Sequence, residues 1–374
     1  MALDDDGQLR PRATTPSRAD ERAVAVFRDA CPGVVVHAPA PPEGAAMHPL
    51  LGAHLGMWTA WAADPELRHA GSSGGALTAL HAWLLETGRA ARVVGAAVDA
   101  DEPRRTVPVT IRSREDALRA AGSRYAPVAA LDNPDALLPG SAVCAKPCEA
   151  AALRRAAPAL TGGEVPLLLS FFCAGTPSQR ATDALLAEHG VPAHARVDAL
   201  RYRGRGWPGR FTASAGDAVV SVDYDESWGR TLGPTTRWRC KVCADGIGEA
   251  ADVVAADAWE SDDRGFPAFA EGEGTSALVA RTQRGLRAIL EAEAAGVLVL
   301  GPLQAERLAA AQPLQTARRA LLGARTLGAL LGGRAAPRYP GYGRLLMRSL
   351  RTPRLALRTV RGTFGRARRS GGLP

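Results

Sequence analysis

The chain has 374 residues, of which 46% are hydrophobic and 22% are charged. This length and composition allow two or three domains with buried cores and exclude a wholly disordered protein. The longest apolar runs have about half the length that a bilayer crossing needs, and residues 1–22 lack the apolar stretch of a secretory signal. The sequence therefore predicts a soluble, cytoplasmic protein with a disordered leader over residues 1–22.

Positive charge is concentrated at the C-terminal end. From Arg307 to Pro374 there are fifteen arginines and no acidic residue, whereas the whole chain carries +8, so the preceding residues carry −7. Residues 336–374 are predicted to form a basic helical tail, in which arginines recur every three or four positions beside leucines. Such a basic stripe could bind an acidic protein, anionic lipid or nucleic acid. It could equally be the solvent-exposed face of terminal helices that pack on the negatively charged body. Among these, we expect no nucleic-acid function.

Apolar runs and helix signals alternate along the chain, which predicts a mixed α/β (α+β) body of strand–loop–helix units with a helical C-terminal region. The predicted strands are Met57–Ala62, Val93–Val98, Ser141–Ala145, Leu167–Phe172, Val253–Ala256 and Ser276–Ala280. The predicted helices are Ala23–Ala30, one opened by Ser73, Arg114–Ala121, Glu149–Ala156, one capped by Ser178 and one opened by Thr282.

The six cysteines are read as metal ligands or redox groups, because a reducing compartment does not favour a disulfide framework. Cys240 and Cys243 form a CxxC pair, which structural zinc, a thiol–disulfide couple or an iron–sulfur cluster could use. From the pair alone, zinc is favoured. The thiol–disulfide reading is weakest, since this pair is predicted to lie in a loop rather than at the start of a helix.

Two further cysteines change the balance between these readings. Cys148 and Cys173 each follow a predicted strand and precede a predicted helix, so four thiolates from three loops could meet at one edge of a sheet. Scattered single cysteines joined to one pair suit a cubane cluster, although each could also be a small buried residue. Cys144 and Cys31 are expected to be structural.

Lysine is rare and lies beside the cysteines. Of the 46 basic residues only Lys146 and Lys241 are lysines, and both are within two residues of a cysteine. A cation at Lys146 would favour thiolates and a reduced, negatively charged cofactor.

Two glycine-rich segments are candidate ligand sites. The turn Gly71-Ser-Ser-Gly-Gly75 precedes a helix and could cradle a phosphate, but it also fits an ordinary capped turn. The segment Arg203-Gly-Arg-Gly-Trp-Pro-Gly209 could clamp an anionic or aromatic ligand or form a tight β-turn.

These motifs, taken together and in order, resemble the coenzyme F420 hydrogenase/dehydrogenase beta-subunit family. The resemblance runs from about residue 31 to 340 and rests on Asp64–Arg68 with Gly71–Leu80, Gly122–Tyr125, Lys146–Glu149, Phe172–Ser178, Arg203–Gly209, Cys240–Asp245, Ala251-Asp252, Asp257–Trp259 and Ser276–Thr282. Ala145 and Ala244 depart from the glycine and proline that the family pattern leads us to expect.

The resemblance implies bound FAD and one 4Fe-4S cluster on Cys148, Cys173, Cys240 and Cys243, with electrons or hydride exchanged with coenzyme F420, a deazaflavin, or with a small organic acceptor. The implied cofactor-binding residues are Gly71, Ser72, Ser73, Gly74, Gly75, Thr78, Ser123, Tyr125, Arg203 and Trp207. Lys146 is the expected catalytic residue, as the charge nearest the reacting ring.

The resemblance also sets expectations for organisation and partners. Residues 23–56 are an N-terminal remnant, residues 57–200 a flavin-binding α/β domain and residues 201–335 a cluster-binding domain, with cluster and flavin loops at strand carboxyl ends. Only Cys31-Pro32 remains of the ferredoxin module found in many relatives, hence the single cluster. An electron-transfer partner protein and a homo-oligomer fit this interpretation. The alternative is a non-catalytic zinc-binding or scaffold subunit with a basic docking tail.

Overall fold

The structure, a computed structural model, describes residues 1–12, 20–258 and 272–369. The strands within these ranges are β1 Ala2–Leu3, β2 Leu9–Arg10, β3 Ala46–His48, β4 Gly52–His54, β5 Gly56–Ala62, β6 Arg92–Val98, β7 Thr106–Ile111, β8 Ser141–Cys144, β9 Leu167–Phe171, β10 Ala199–Arg201, β11 Phe211–Ala215, β12 Ala218–Val222, β13 Val253–Asp257, β14 Ser276–Ala280 and β15 Leu298–Pro302. The α-helices are α1 Glu21–Ala30, α2 Pro65–Ala70, α3 Ala76–Glu86, α4 Arg114–Arg119, α5 Pro147–Thr161, α6 Gln179–Glu188, α7 Trp238–Lys241, α8 Gln283–Ala294, α9 Ala305–Ala311, α10 Pro313–Ala320, α11 Leu322–Leu331, α12 Gly343–Arg348 and α13 Pro353–Arg369.

An eight-stranded mixed sheet forms the centre of the fold, in the order β15-β5-β14-β13-β9-β8-β6-β7. Strands β13, β9, β8 and β6 are parallel neighbours. Strand β5 runs in the same direction, because it and β13 are both antiparallel to β14. The loops that follow β5, β8 and β9 therefore leave one edge of the sheet, where ligands bind in open α/β sheets. The predicted mixed α/β class is confirmed.

Helices cover both faces of this sheet, because successive strand residues point to opposite sides. Val93 and Leu278 belong to the core on one face, together with α3, α4 and α8. Their chain neighbours Val94 and Val279 belong to the core on the other face, together with α5 and α9. The near-continuous apolar runs of the central strands follow from burial on both faces.

The predicted boundary between residues 200 and 201 does not separate two sheets. Strands β13, β14 and β15 lie in the same sheet as β5, β6, β8 and β9. The region from residue 199 onward also contributes a small antiparallel sheet, β10-β11-β12. Its core combines Tyr202 and Phe211 with Leu185 and Leu186 of α6. The two predicted domains thus share the large sheet, because β13 inserts beside β9.

The prediction of a disordered leader is wrong for residues 1–12. Strands β1 and β2 pair in a hairpin. Ser178 Oγ donates to the carbonyl oxygen of Asp6 (2.5 Å), and Gln179 N donates to that of Gly7 (2.9 Å). The hairpin is held because its carbonyl groups satisfy donors at the start of α6. Residues 13–19 lie outside the described residues.

The predicted helical C-terminal region is confirmed by α9 to α13. Helices α11 and α13 pack closely at Gly328, where an added methyl group would lie 2.5 Å from the carbonyl oxygen of Val360 and 2.9 Å from Cβ of Thr363. Over the described ranges, no helix is long and apolar enough to cross a membrane.

Candidate functional site

The four predicted ligand cysteines lie on three separate segments. Cys148 is the second residue of α5, directly after β8, and Cys173 follows the end of β9 by two residues. Cys240 lies in the one-turn helix α7, and Cys243 follows that helix. The prediction of a loop at Cys240 is therefore wrong. The turn begins where Arg237 N donates to the carbonyl oxygen of Thr176 (3.0 Å), which ties α7 to the loop after β9.

The four thiols are close enough to influence one another. Burial, and after it the charges of Cys240 and Cys148, raises the pKa of Cys173 to about 12. Burial likewise raises the pKa of Cys243 to about 12, and Cys148 and Cys240 are among the charges that add to it. In the part of the chain that the structure describes, no group of three or more His, Cys, Asp or Glu side chains has the arrangement of a metal-ion site. The thiols are therefore near enough for their charges to interact, but among the described residues they do not have the arrangement of a site for a single metal ion.

Donor groups point at two of these sulfur atoms. Arg239 Nη2 donates to Sγ of Cys148 (3.3 Å), and the backbone N–H of Thr176 donates to Sγ of Cys240 (3.5 Å). The charge of Cys148 is the largest influence on the pKa of Arg239, which is raised despite burial. Hydrogen bonds of this kind stabilise a thiolate relative to a thiol.

Arg318 joins two of the cysteine segments. Its Nη2 donates to the carbonyl oxygen of Cys173 (2.6 Å), and its Nη1 to those of Ala174 (3.1 Å) and Cys240 (3.5 Å). The side chain comes from α10 and is buried. One guanidinium therefore fixes the loop after β9 against α7.

Lys146 caps the start of α5 next to Cys148. Its Nζ donates to the carbonyl oxygen of Val128 (2.6 Å) and lies 3.0 Å from Oε2 of Glu149. Burial alone would lower its pKa, but Glu149 and then Cys148 outweigh burial and raise it. Lys146 is accordingly a protonated, partly buried cation that already has protein partners.

The remaining two cysteines have different surroundings. Cys144 is the last residue of β8 and packs against the sheet core, and burial raises its pKa to about 12. Cys31 ends α1 and is among the charges that raise the pKa of Arg239. Cys31 therefore lies beside the four-cysteine group, although only a structural role was expected.

The turn Gly71–Gly75 joins α2, which follows β5, to α3. The helix predicted to open at Ser73 begins instead at Ala76, because Ser73 and Gly75 have φ of +58° and +69°, outside the helical region. Ser73 Oγ donates to the carbonyl oxygen of Thr275 (2.7 Å), and Gly74 N donates to Oγ of Ser276 (3.0 Å). Much of the turn's hydrogen bonding is thus directed into the protein.

Gly74 is required by close packing. An added methyl group would lie 2.5 Å from the carbonyl oxygen of Ala60 and 2.9 Å from the backbone nitrogen of Ser276. Because these neighbours are backbone atoms of the central sheet, we expect Gly74→Ala to lower the free energy of unfolding by about 2–3 kcal/mol, as overpacking does. Urea denaturation measures this. Gly343→Ala, where an added methyl group meets nothing within 4 Å, should change stability by less than about 0.5 kcal/mol; equal losses would contradict the clash.

The more exposed side of the turn is formed by Ser72 and Ser123. Both the N–H (2.7 Å) and the hydroxyl (2.8 Å) of Ser123 approach Oγ of Ser72. Helix α3 has Gly75 at its N-cap position and therefore no side-chain cap, so its first-turn N–H groups have no side-chain acceptor there. Thr78, in this first turn, is buried. The arrangement joins two hydroxyls with the positive end of a helix.

A small cavity of about 30 Å³ adjoins Ser123, and Arg119, Arg124 and Arg201 are among its lining residues. Burial lowers the pKa of Arg201, and the neighbouring charge of Arg205 lowers it further. Positive charges that lie close together favour the binding of an anion between them.

Arg203 anchors the second glycine-rich segment. It is 2% exposed, and its Nη1 lies 2.8 Å from Oδ2 of Asp257 at the end of β13. Its Nε donates to the carbonyl oxygen of Pro208 (2.7 Å), and its guanidinium lies over the rings of Trp207 (4.9 Å) and Tyr224 (5.1 Å). Arg203 thus fixes the segment rather than reaching into solvent.

Tyr125 belongs to an aromatic group beside this segment. Its ring centroid lies 4.8 Å from that of Trp228, 6.0 Å from that of Tyr202 and 6.4 Å from that of Tyr224. Gly122 is close to the same segment, since a methyl group there would lie 2.6 Å from the carbonyl oxygen of Arg203. The predicted flavin-binding residues on residues 71–78, 122–125 and 203–207 are therefore brought together.

Three neighbours of the site were not identified as site residues from the sequence. Arg239 precedes Cys240 directly, and that adjacency was an available signal. Asp257 occurs in the family-like block of residues 257–259, of which Trp259 lies outside the described residues. Arg318 carries no local signal, because it lies in an arginine-rich region 75 residues after Cys243.

Comparisons with known proteins identify the family and a similar fold. Residues 57–133 match the family described as coenzyme F420 hydrogenase/dehydrogenase, beta subunit N-terminus, and residues 140–306 match the C-terminal part of the same subunit. A structure of the F420-reducing [NiFe] hydrogenase complex from Methanosarcina barkeri contains a chain of similar fold, with a TM-score of 0.55 and 21% identity over 73% of this chain and 91% of that chain. No curated protein matches the sequence.

Proposed function

Because this chain belongs to the coenzyme F420 hydrogenase/dehydrogenase beta-subunit family and is thereby an oxidoreductase, we propose that it is an iron–sulfur flavoprotein. In this proposal Cys148, Cys173, Cys240 and Cys243 hold one 4Fe-4S cluster, and FAD binds at the turn Gly71–Gly75. Its redox partner is coenzyme F420 or a small organic acceptor. The observation that carries the proposal is the convergence of four thiols from three segments beside a guanidinium donor.

The donor set fits an iron–sulfur cluster. Cys₄ ligation is the usual arrangement for such clusters, and hydrogen bonds to sulfur together with burial set their potential. Arg239 supplies one such bond to Cys148, and the N–H of Thr176 supplies another to Cys240. Arg318 holds two of the ligand segments at a fixed separation. These residues would therefore position the ligands and offset their negative charge.

The surroundings of the turn fit an anionic dinucleotide. The uncapped start of α3 and the hydroxyl pair of Ser72 and Ser123 suit a diphosphate. The crowded guanidinium groups of Arg201 and Arg205 would gain from a negative partner, whether the FAD diphosphate or the anionic tail of a deazaflavin. The aromatic group around Tyr125 offers an apolar wall.

When bound, FAD interconverts one-electron and two-electron transfer, and the cluster carries single electrons. The protein itself would position the two cofactors and supply the charges around them. Lys146, held by Glu149 and by the carbonyl oxygen of Val128, keeps a positive charge between the cysteine group and the segment that leads to Tyr125. With FAD bound, Lys146 would stabilise negative charge on the flavin ring. A partner protein that delivers or accepts electrons is part of the same proposal, because the chain of similar fold belongs to a hydrogenase complex.

Purification without oxygen tests this assignment. We expect a brown, yellow-tinted protein that contains about four irons per chain and one releasable FAD, and whose visible absorption is bleached by dithionite. A colourless preparation that contains zinc would overturn the proposal and favour a zinc-binding scaffold subunit. Oxidation of reduced coenzyme F420, followed by its absorbance, then separates use of the deazaflavin from use of another acceptor.

The bond from Arg239 to Cys148 gives a further prediction. Arg239→Gln should lower the midpoint potential of the iron–sulfur signal by about 60 mV, because loss of a charge-assisted bond worth about 1.4 kcal/mol disfavours the more negative reduced state. Redox titration followed by electron paramagnetic resonance measures the shift. Arg239→Lys, which keeps the charge, should shift the potential less, and Arg210→Gln, whose arginine bonds Ser221, should not shift it. An unchanged potential in Arg239→Gln would exclude this role.

A further inference from the structure

A second surface, unrelated to the cysteine group, combines exposed apolar side chains with arginines on α11, α12 and α13 and on the turn between α12 and α13. We call it the tail surface. Its large apolar members are between 48% and 64% exposed: Leu327, Leu330, Leu331, Met347, Leu350, Leu355 and Leu357. Single exposed leucines are ordinary, but a concentration of this kind marks an interaction site.

Cationic side chains are concentrated in the same segment of the chain. Nine arginines lie between residues 344 and 369, and no acidic residue occurs after Glu306. On α13, Arg354, Arg358 and Arg361 follow one another at helical spacing and are exposed. Nothing within this stretch of sequence supplies a compensating negative charge.

Internal packing does not require these side chains. Helix α13 contacts α11 through small residues, since a methyl group on Gly328 would meet Val360 and Thr363, and one on Gly332 would meet Cβ of Ala367. Thr363 and Ala367 are the buried residues of α13. The leucines and arginines are thus left on the outer sides of the helix pair, where a stability role does not explain them.

We propose that the tail surface docks on the anionic headgroup layer of a lipid bilayer. Helices that lie in a membrane interface combine Arg-rich polar faces with Leu and Phe on the adjoining side, and Phe364 lies one heptad after Leu357 on α13. Basic residues also gain energy from an anionic bilayer surface. Since no helix in the described ranges is suited to span a bilayer, the surface would lie on the membrane rather than cross it.

Charge favours a lipid bilayer over a second copy of the chain as the partner of the tail surface. Two tail surfaces brought face to face would oppose arginines with arginines, at a cost in like-charge repulsion. An interface with another protein normally has an apolar centre depleted of charge and a separate polar rim, whereas here arginines and leucines are interspersed along residues 344–358. The rest of the chain, at −7 up to residue 306, would be repelled by an anionic bilayer, so the protein would approach it with this surface first.

Vesicle co-sedimentation of the full-length protein tests the proposal. We expect binding to vesicles of phosphatidylcholine with 30% phosphatidylglycerol, no binding to phosphatidylcholine alone, and release at high salt. The triple variant Arg351→Gln/Arg354→Gln/Arg358→Gln should bind on the order of a hundredfold more weakly, since each basic residue contributes about fivefold. The triple variant Met347→Gln/Leu350→Gln/Leu355→Gln should also bind less, by at least about tenfold.

Matched changes elsewhere keep this test specific. Arg196→Gln with Arg230→Gln removes exposed arginines from other parts of the surface, and Val219→Gln replaces a 79% exposed valine of β12; neither should alter vesicle binding. Equal binding to neutral vesicles would overturn the proposal. The proposal would also be overturned if the protein did not bind vesicles and instead formed a concentration-dependent dimer in analytical ultracentrifugation, and if the apolar triple variant abolished that dimer. That second result would assign the surface to another copy of the chain.

Discussion

Cys240→Ser is expected to lower the iron content of anaerobically purified protein from about four per chain to less than about one, with loss of the visible absorption. A serine hydroxyl does not provide the thiolate that iron–sulfur clusters require. Cys240 is held at two atoms, since its sulfur accepts the N–H of Thr176 and its carbonyl oxygen accepts a bond from Arg318. The same loss is expected for Cys148→Ser, Cys173→Ser and Cys243→Ser.

The matched control is Cys144→Ser. This cysteine ends β8, four residues before Cys148, and packs against the sheet core. Iron and acid-labile sulfide assays should give the wild-type value for Cys144→Ser. If it lost iron while Cys148→Ser retained a full complement, the ligand assignment would be wrong. Far-ultraviolet circular dichroism of each variant separates cluster loss from unfolding.

Arg203→Met is expected to lower the free energy of unfolding by about 3–5 kcal/mol, because it leaves Asp257 without its buried cationic partner. The guanidinium is 2% exposed, bonds Asp257 (2.8 Å) and the carbonyl oxygen of Pro208 (2.7 Å), and lies over two aromatic rings. Methionine fills part of the volume but replaces none of these bonds. Denaturant unfolding monitored by tryptophan fluorescence measures the change.

The pairing itself is tested by a double-mutant cycle with Asp257→Asn. If Arg203 acts mainly through Asp257, the loss in the double variant should be at least about 1 kcal/mol smaller than the sum of the two single losses. FAD retention by each folded variant shows whether the segment of residues 203–209 also contributes to cofactor binding. If the stability losses of the two single variants simply added up in the double variant, the ion pair with Asp257 would not be the reason for the burial of Arg203.

Local sequence pattern located most elements of the sheet well. Strands β5, β6, β8, β9, β13 and β14 lie within one residue of their predicted bounds, because each is an apolar run between turn residues and burial on both faces demands such a run. The caps at Ser178 and Thr282 are likewise as predicted, since each side-chain oxygen accepts a nearby backbone N–H. The start of α3 was placed too early, because the left-handed conformation of Ser73 is held by its bond to Thr275, about 200 positions away.

Residue types and their placement after strands thus determine, without reference to tertiary structure, the mixed α/β class and the candidate thiols Cys148 and Cys173. Only the tertiary structure decides that β13 pairs with β9, that the thiols of the 240–243 pair approach those two, and that Arg239 and Arg318 serve them. The physical reason is one of range. Hydrophobic periodicity and capping act within a few residues, whereas strand order and the partners of a guanidinium depend on contacts between distant segments that no local pattern encodes.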